Sequence, residues 1–236
     1  MSTIETPFQA STHKIRFLFG MIIIEALLLL WWLFPTVFAQ WSLSNALWAS
    51  EKAAWYLTRS SATVAYIFLS ASTVWGLLLS SKLIKEIVPA PVALAMHDSL
   101  SWVAVGLASF HALVLLFDRY YTYTLGNLLI PFTGPYEPLL VGVGTLAFYL
   151  MLLLSASFYA RKWLGAKRWR QFHYLTFVAY LMVTLHGWLV GTDSATFAWL
   201  YGGSSLLVIF LTVYRIFTVL GTTTKEPSRK LPNTAN

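Results

Sequence analysis

Six apolar segments, each close to the length of a helix that crosses a bilayer, occupy most of this chain. Hydrocarbon about 30 Å thick asks for roughly 20 apolar residues per spanning helix. Segments of that kind run near Phe17 to Phe34, Ser61 to Leu79, Val92 to Phe117, Leu139 to Tyr159, Phe172 to Val190 and Ala195 to Tyr214. With 58% hydrophobic and 11% charged residues, the chain holds more apolar surface than one soluble core can bury. The expected fold is an all-α membrane protein, a six-transmembrane-helix bundle over residues 17–219. Residues 1–16 precede it, and residues 220–236 form a tail too short and polar to be a domain, expected to be disordered.

Lysine and arginine set the expected orientation, because cytoplasmic loops carry the excess. Lys14, Arg16, Lys82, Lys85, Arg161, Lys162, Lys167, Arg168, Arg170, Arg215, Lys225, Arg229 and Lys230 fall on one side, against Lys52, Arg59 and Arg119 on the other. Six spans with this bias put both termini in the cytoplasm. The net charge of +7 is accounted for by these helix-end cations, and no soluble basic domain exists to bind nucleic acid. Trp31, Trp32, Trp41, Trp48, Trp55 and Trp188 gather toward the outer interface, with Trp163 and Trp169 at the inner one, which reads as an aromatic belt.

The first apolar segment follows basic residues and ends near Val37-Phe38-Ala39-Gln40, a loose likeness to a signal-peptide cleavage site. Its apolar run is long for that role and contains Glu25, so a retained helix is expected. The stretch from Asp118 to Pro138, with Pro131, Pro135 and Pro138, is expected to form an ordered cap over the outer end.

The chemistry lies in four histidines. His97 and His111 share the third span, and His173 and His186 share the fifth, at spacings of 14 and 13 residues. At 1.5 Å per residue each pair is separated by roughly 20 Å along its helix. The third and fifth spans run in the same direction, so His97 is level with His173 near the cytoplasm, and His111 with His186 near the exterior. A single intramembrane histidine is explained by an interhelical hydrogen bond or a proton relay; four matched in depth and spacing point to metal cofactors. There are no cysteines, which excludes iron–sulfur ligation and covalent c-type haem. Neutral imidazole is a good axial ligand for iron, and two of them close both axial positions. Two bis-histidine b-type haems between the third and fifth helices are expected.

Helical phase supports this only for the third span. Fourteen residues bring His111 back to within about 40° of His97, whereas thirteen leave His173 and His186 about 140° apart on an ideal helix. The fifth span is therefore locally distorted, or its rings approach from different flanks. Ala104, Ala108, Ala112 and Gly187 are small enough to admit flat macrocycles near the backbone, though small residues equally mark plain helix packing. Haem propionates want cationic partners, for which Arg170 and Lys167 are candidates at the inner level and Arg59 at the outer. The same residues serve topology or snorkelling equally well. Asp98 lies where it could reach water or Lys82 and Lys85, Glu25 could handle protons, and His13 is an ordinary exposed residue.

From about Ala53 to Tyr214 the chain resembles the ferric reductase-like transmembrane domain superfamily. That superfamily includes the membrane portions of NADPH oxidases and ferric reductases, and the haem-binding subunit of bacterial methionine sulfoxide reductase systems. The likeness rests on the histidine spacing, Ser60-Ser61-Ala62-Thr63-Val64-Ala65-Tyr66, Leu129-Ile130-Pro131-Phe132 with Tyr136 and Pro138, Trp169-Arg170-Gln171-Phe172-His173, His186-Gly187 and Gly191-Thr192-Asp193. It implies that His97, His111, His173 and His186 are the haem ligands. Unlike the larger members, this sequence shows no Gly-rich dinucleotide loop, so the resemblance implies a stand-alone bacterial inner-membrane subunit, an oxidoreductase component without flavin or nicotinamide domains. Electrons would come from a cytoplasmic flavoprotein or from quinol, cross by way of the two haems, and pass to an extracytoplasmic acceptor that the sequence does not reveal. The competing expectations are a proton-coupled transporter with a histidine relay, and a structural scaffold.

Overall fold

The computed structural model describes residues 52–223. The first predicted span, with Glu25, His13 and the possible cleavage site, lies outside the described residues, as does the tail beyond Thr223. Five helices long and apolar enough to cross a membrane account for the other five predicted spans, and no strand occurs among the described residues. This is an all-helical, multi-pass membrane protein.

In chain order the helices are α1 (Ala53–Ser80), α2 (Ala90–Val114, continued by a 3-10 turn Leu115–Phe117), α3 (Leu125–Leu129), α4 (Pro138–Leu164), α5 (Ala166–His173), α6 (Leu175–Val190) and α7 (Ala198–Thr223). Several run past the predicted spans. α1 begins eight residues before Ser61, and α7 passes Tyr214 by nine. The added turns hold Lys52-flanked aromatics at one end of α1 and Arg215 in α7, residues that dilute an apolar run without opposing a helix. The guanidinium of Arg215 donates to the carbonyl of Ser80 and ties the ends of α7 and α1 together.

Local chemistry sets the boundaries. Pro89 precedes α2 with extended backbone, and proline stands within the first two positions of both α2 and α4, where a missing N–H costs nothing. Gly165, at φ 77°, ends α4 and starts α5, a left-handed position natural to glycine. Between α5 and α6 there is only Tyr174, whose N–H is shared between the carbonyls of Arg170 (3.2 Å) and Gln171 (3.3 Å), while its own carbonyl accepts from Phe177 at 3.2 Å. This is a turn tightened toward 3-10 geometry, which winds about 20° more per residue than an α-helix. Of the two alternatives for the fifth span, a local distortion is there, and extra winding of that sense acts to reduce the angle between His173 and His186.

Small residues let the helices meet: Ala54, Ala93, Ala104, Ala147 and Ala179 are all but fully buried, while the outward faces carry Leu206, Ile209, Phe210 and Phe217, as lipid contact demands. α1 packs along α2, and α4 along α6. The two histidine-bearing spans, α2 and the α5–α6 pair, are not among the closely packed helix pairs, and meet through a core cluster that includes Ala104, Val105 and Ala179. Halfway along, Tyr66 of α1 donates or accepts at Ser204 (2.8 Å), Tyr180 (3.2 Å) and Thr184 (3.3 Å), and so links α1, α6 and α7.

The loop from Asp118 to Pro138 is ordered, as expected. Oδ1 of Asp118 accepts from the N–H groups of Tyr120 and Tyr121 at 2.8 and 2.9 Å, and α3 opens with a reciprocal cap between Thr124 and Asn127.

Candidate functional site

The four histidines meet in the expected pairs. The ring centres of His97 and His173 are 6.1 Å apart with planes at 81°, and those of His111 and His186 are 6.3 Å apart at 73°. A metal held by imidazole nitrogen at about 2.0–2.1 Å puts two opposed nitrogens roughly 4 Å apart, and about 1 Å from each nitrogen to its ring centre brings the centres to about 6 Å. Both levels have that separation.

Three of the rings are anchored at Nδ1 by main-chain carbonyls. His97 bonds to Ser72 at 3.0 Å, His111 to Thr58 at 2.9 Å and His186 to Leu140 at 2.9 Å. A carbonyl can only accept, so each Nδ1 carries the proton and each Nε2 keeps its lone pair. This is the arrangement in which an outer partner fixes the tautomer and orientation of a ligating histidine.

Glycine makes two of these bonds possible. A Cβ on Gly76, one turn beyond Ser72, would stand 3.0 Å from Cε1 of His97, and one on Gly144, one turn beyond Leu140, would stand 2.7 Å from Nδ1 of His186. Each ring lies over a glycine to reach the carbonyl one turn earlier. At the third site Ala62 occupies the equivalent place, four residues after Thr58.

At the His111–His186 level a cavity of about 670 Å³ opens between α1, the capping loop and the start of α7, and is lined by both rings, Arg59, Asp193, Tyr121 and Tyr123. A smaller one of about 130 Å³ continues from the same rings into the bundle past Ala65, Ala108, Ala112 and Gly144. Among the described residues no three ligating side chains converge, so each level offers two protein ligands and suits a cofactor that brings its own equatorial donors. Paired free imidazole nitrogens, small flanking residues and a cavity with Arg59 and Asp193 in its lining fit a haem at this level.

Arg59 lines that cavity, but it already has a partner: its Nε donates to Oδ2 of Asp193 at 2.6 Å, and its guanidinium lies 4.6 Å from the ring centre of Trp55. Tyr123 is buried beside it, and its hydroxyl is pushed up to about 12 chiefly by burial and then by the nearby Asp118 carboxylate. Arg170 is exposed on α5 one turn before His173, and Lys167 is exposed nearby. No ion pair joins Asp98 to Lys82 or Lys85 among the described residues.

Some sequence assignments change. Trp169 is not simply a belt residue, since its ring stacks on His173 at 5.0 Å and 19°; Trp163 is 88% exposed. Trp55 lines the cavity. Ala104 packs with Met151 and Leu154 in the core, the second of the two roles open to it. Gly187 lines both cavities beside His186, as expected, and also makes room for Tyr201, whose hydroxyl would lie 2.9 Å from a Cβ there. The anchoring carbonyls and the two glycines carry no side-chain signature; the glycine at i+4 was the one trace of them in the sequence.

Compared with protein-family models, curated proteins and solved structures, the chain matches none.

Proposed function

We propose that this chain is the membrane subunit of a reductase system of the ferric reductase-like kind, moving electrons across a bacterial inner membrane. His97 with His173, and His111 with His186, would each hold one noncovalent b-type haem. When bound, such a group supplies a one-electron carrier with no open axial position. The observation that carries the reading is the pair of facing imidazole couples at 6.1 and 6.3 Å, three of whose rings have Nε2 freed for ligation by carbonyl bonds at Nδ1.

The chain's own residues do the rest. Anchored histidines hold their rings ready, which lowers the ordering cost of binding. Carbonyl bonds at Nδ1 raise the basicity of the opposite nitrogen. Arg59 places a positive charge at the mouth of the His111–His186 cavity, suited to a propionate, and Arg170 offers one at the other level. Under positive-inside orientation the termini are cytoplasmic and the His97–His173 level is nearer the cytoplasm. The donor is then a flavoprotein at that face or membrane quinol, and the acceptor is extracytoplasmic.

The test is the cofactor content of protein purified after expression with a haem supply. About two noncovalent haems per chain with a b-type reduced-minus-oxidised spectrum are expected. Colourless, folded protein would remove this reading and favour a histidine relay or a scaffold.

A further inference from the structure

His173 is held differently from its three counterparts. Its Nδ1 is buried with no hydrogen-bond partner, and the ring rests instead on Trp169, one turn earlier on α5. The indole is itself fixed from three sides. Its N–H donates to Oγ of Ser157 at 3.2 Å, Phe158 meets it near edge-on at 6.2 Å, and the guanidinium of Arg161 lies 5.6 Å from its ring centre. All three come from the end of α4, which turns through Gly165 into α5.

We propose that Trp169 is the positioning residue for His173, a stacked ring standing in for the carbonyl that anchors the other three, and that His173 is in consequence the exchangeable axial ligand. This rests on the haem reading above. A hydrogen bond from Nδ1 does two things for a ligating imidazole: it fixes the ring, and it strengthens the opposite nitrogen as a donor. Stacking does only the first. An imidazole with an unbonded Nδ1–H is the weaker donor, and the guanidinium over the same indole adds positive charge that opposes electron release toward a metal. The hold of His173 therefore depends on orientation, and orientation depends on Trp169. Across the gap, His97 keeps its bond to Ser72. Loss of the stack opens one coordination position at one level.

The experiment uses full-length protein loaded with haem during expression. Wild type, Trp169→Ala and Trp169→Phe are compared, each also combined with His111→Ala so that only the His97–His173 level remains, with His111→Ala alone as baseline. Reduced samples are exposed to carbon monoxide, which binds only a haem lacking an axial ligand. Wild type and Trp169→Phe, which keeps a flat ring, are expected to stay low-spin and bind little carbon monoxide. Trp169→Ala is expected to become high-spin at one level and to take up about one carbon monoxide per chain, a gain that survives in the His111→Ala background. If Trp169→Ala sheds that haem altogether, Trp169→Leu, which keeps bulk without a flat face, carries the same readout. Variants that remain low-spin and refuse carbon monoxide, or that respond only at the His111–His186 level, overturn the inference. Wild-type protein without haem would instead overturn the reading beneath it.

Discussion

Gly144 and His186 are fitted to each other: a single added carbon on the glycine would stand 2.7 Å from the ring nitrogen that donates to Leu140. No rotamer of a helical alanine avoids that contact, because Cβ is fixed by the backbone. Gly144→Ala must therefore push the ring off its carbonyl. Overpacking of this kind costs about 1–3 kcal/mol, and the lost hydrogen bond about 1 kcal/mol more. The expected result is a lower melting temperature and depletion of the His111–His186 cofactor. Gly76→Ala, with 3.0 Å to Cε1 of His97 and 3.4 Å to Nδ1, should act in the same direction more weakly and at the other level. Haem content and thermal unfolding of the two variants check the order.

Replacing His111 with alanine should remove one cofactor and spare the other, since the levels share no ligand. Pyridine haemochrome assay should fall from about two haems per chain to about one. Equal loss of both would contradict two separate sites.

Arg59 and Asp193 join α1 to the loop before α7, with side chains 19% and 45% exposed. Solvent screening holds such a pair to less than about 1 kcal/mol of stability, so Arg59→Gln should barely change melting. Its charge is felt electrically. Removing it should lower the midpoint potential at the His111–His186 level by a few tens of millivolts, about 40 mV corresponding to roughly 1 kcal/mol for one electron. Asp193→Asn should shift it upward. A redox titration that leaves both midpoints in place would confine Arg59 to a structural role.

Orientation can be read without background, because the chain has no cysteine. Trp163 is 88% exposed and Tyr120 is 85% exposed, at opposite ends of the bundle. A membrane-impermeant thiol reagent on intact cells should label Tyr120→Cys and spare Trp163→Cys, with the reverse in inverted vesicles. The opposite pattern would invert the topology.

Tyr123 gives the cap a pH dependence. Its hydroxyl ionises near 12 in the folded protein and near 10 in an unfolded chain, so burial favours the neutral form. The stability it contributes is whole below about 10 and is lost as pH rises toward 12. Thermal unfolding should fall over that window, and less so in Tyr123→Phe, which cannot ionise.

The five spans among the described residues were legible in the sequence because apolar runs of bilayer length leave a backbone few alternatives. So was the pairing of His97 with His173 and His111 with His186, which needs only the direction of two spans. Helix ends were not, since Trp55 and Arg59 extend α1 while weakening its apolar pattern. The 13-residue spacing signalled a distortion but not its place at Tyr174. Trp169 could not be told from a belt tryptophan, because its partners Ser157 and Arg161 belong to the preceding helix and reach it only through the turn at Gly165. The carbonyls of Thr58, Ser72 and Leu140 were invisible, as main-chain acceptors always are in a string of residue names.

The sparse packing between α2 and α6 bears on how such a protein is made. Two spans that pack sparsely, meeting through a core cluster of Ala104, Val105 and Ala179, gain from a ligand that bridges them, and a ligand that binds only the folded state stabilises it by mass action. On the proposed reading, porphyrin delivery acts as an assembly checkpoint. Chains inserted while haem is scarce should be short-lived prey for membrane proteases, and the steady-state amount of the subunit should follow iron supply even at constant transcription.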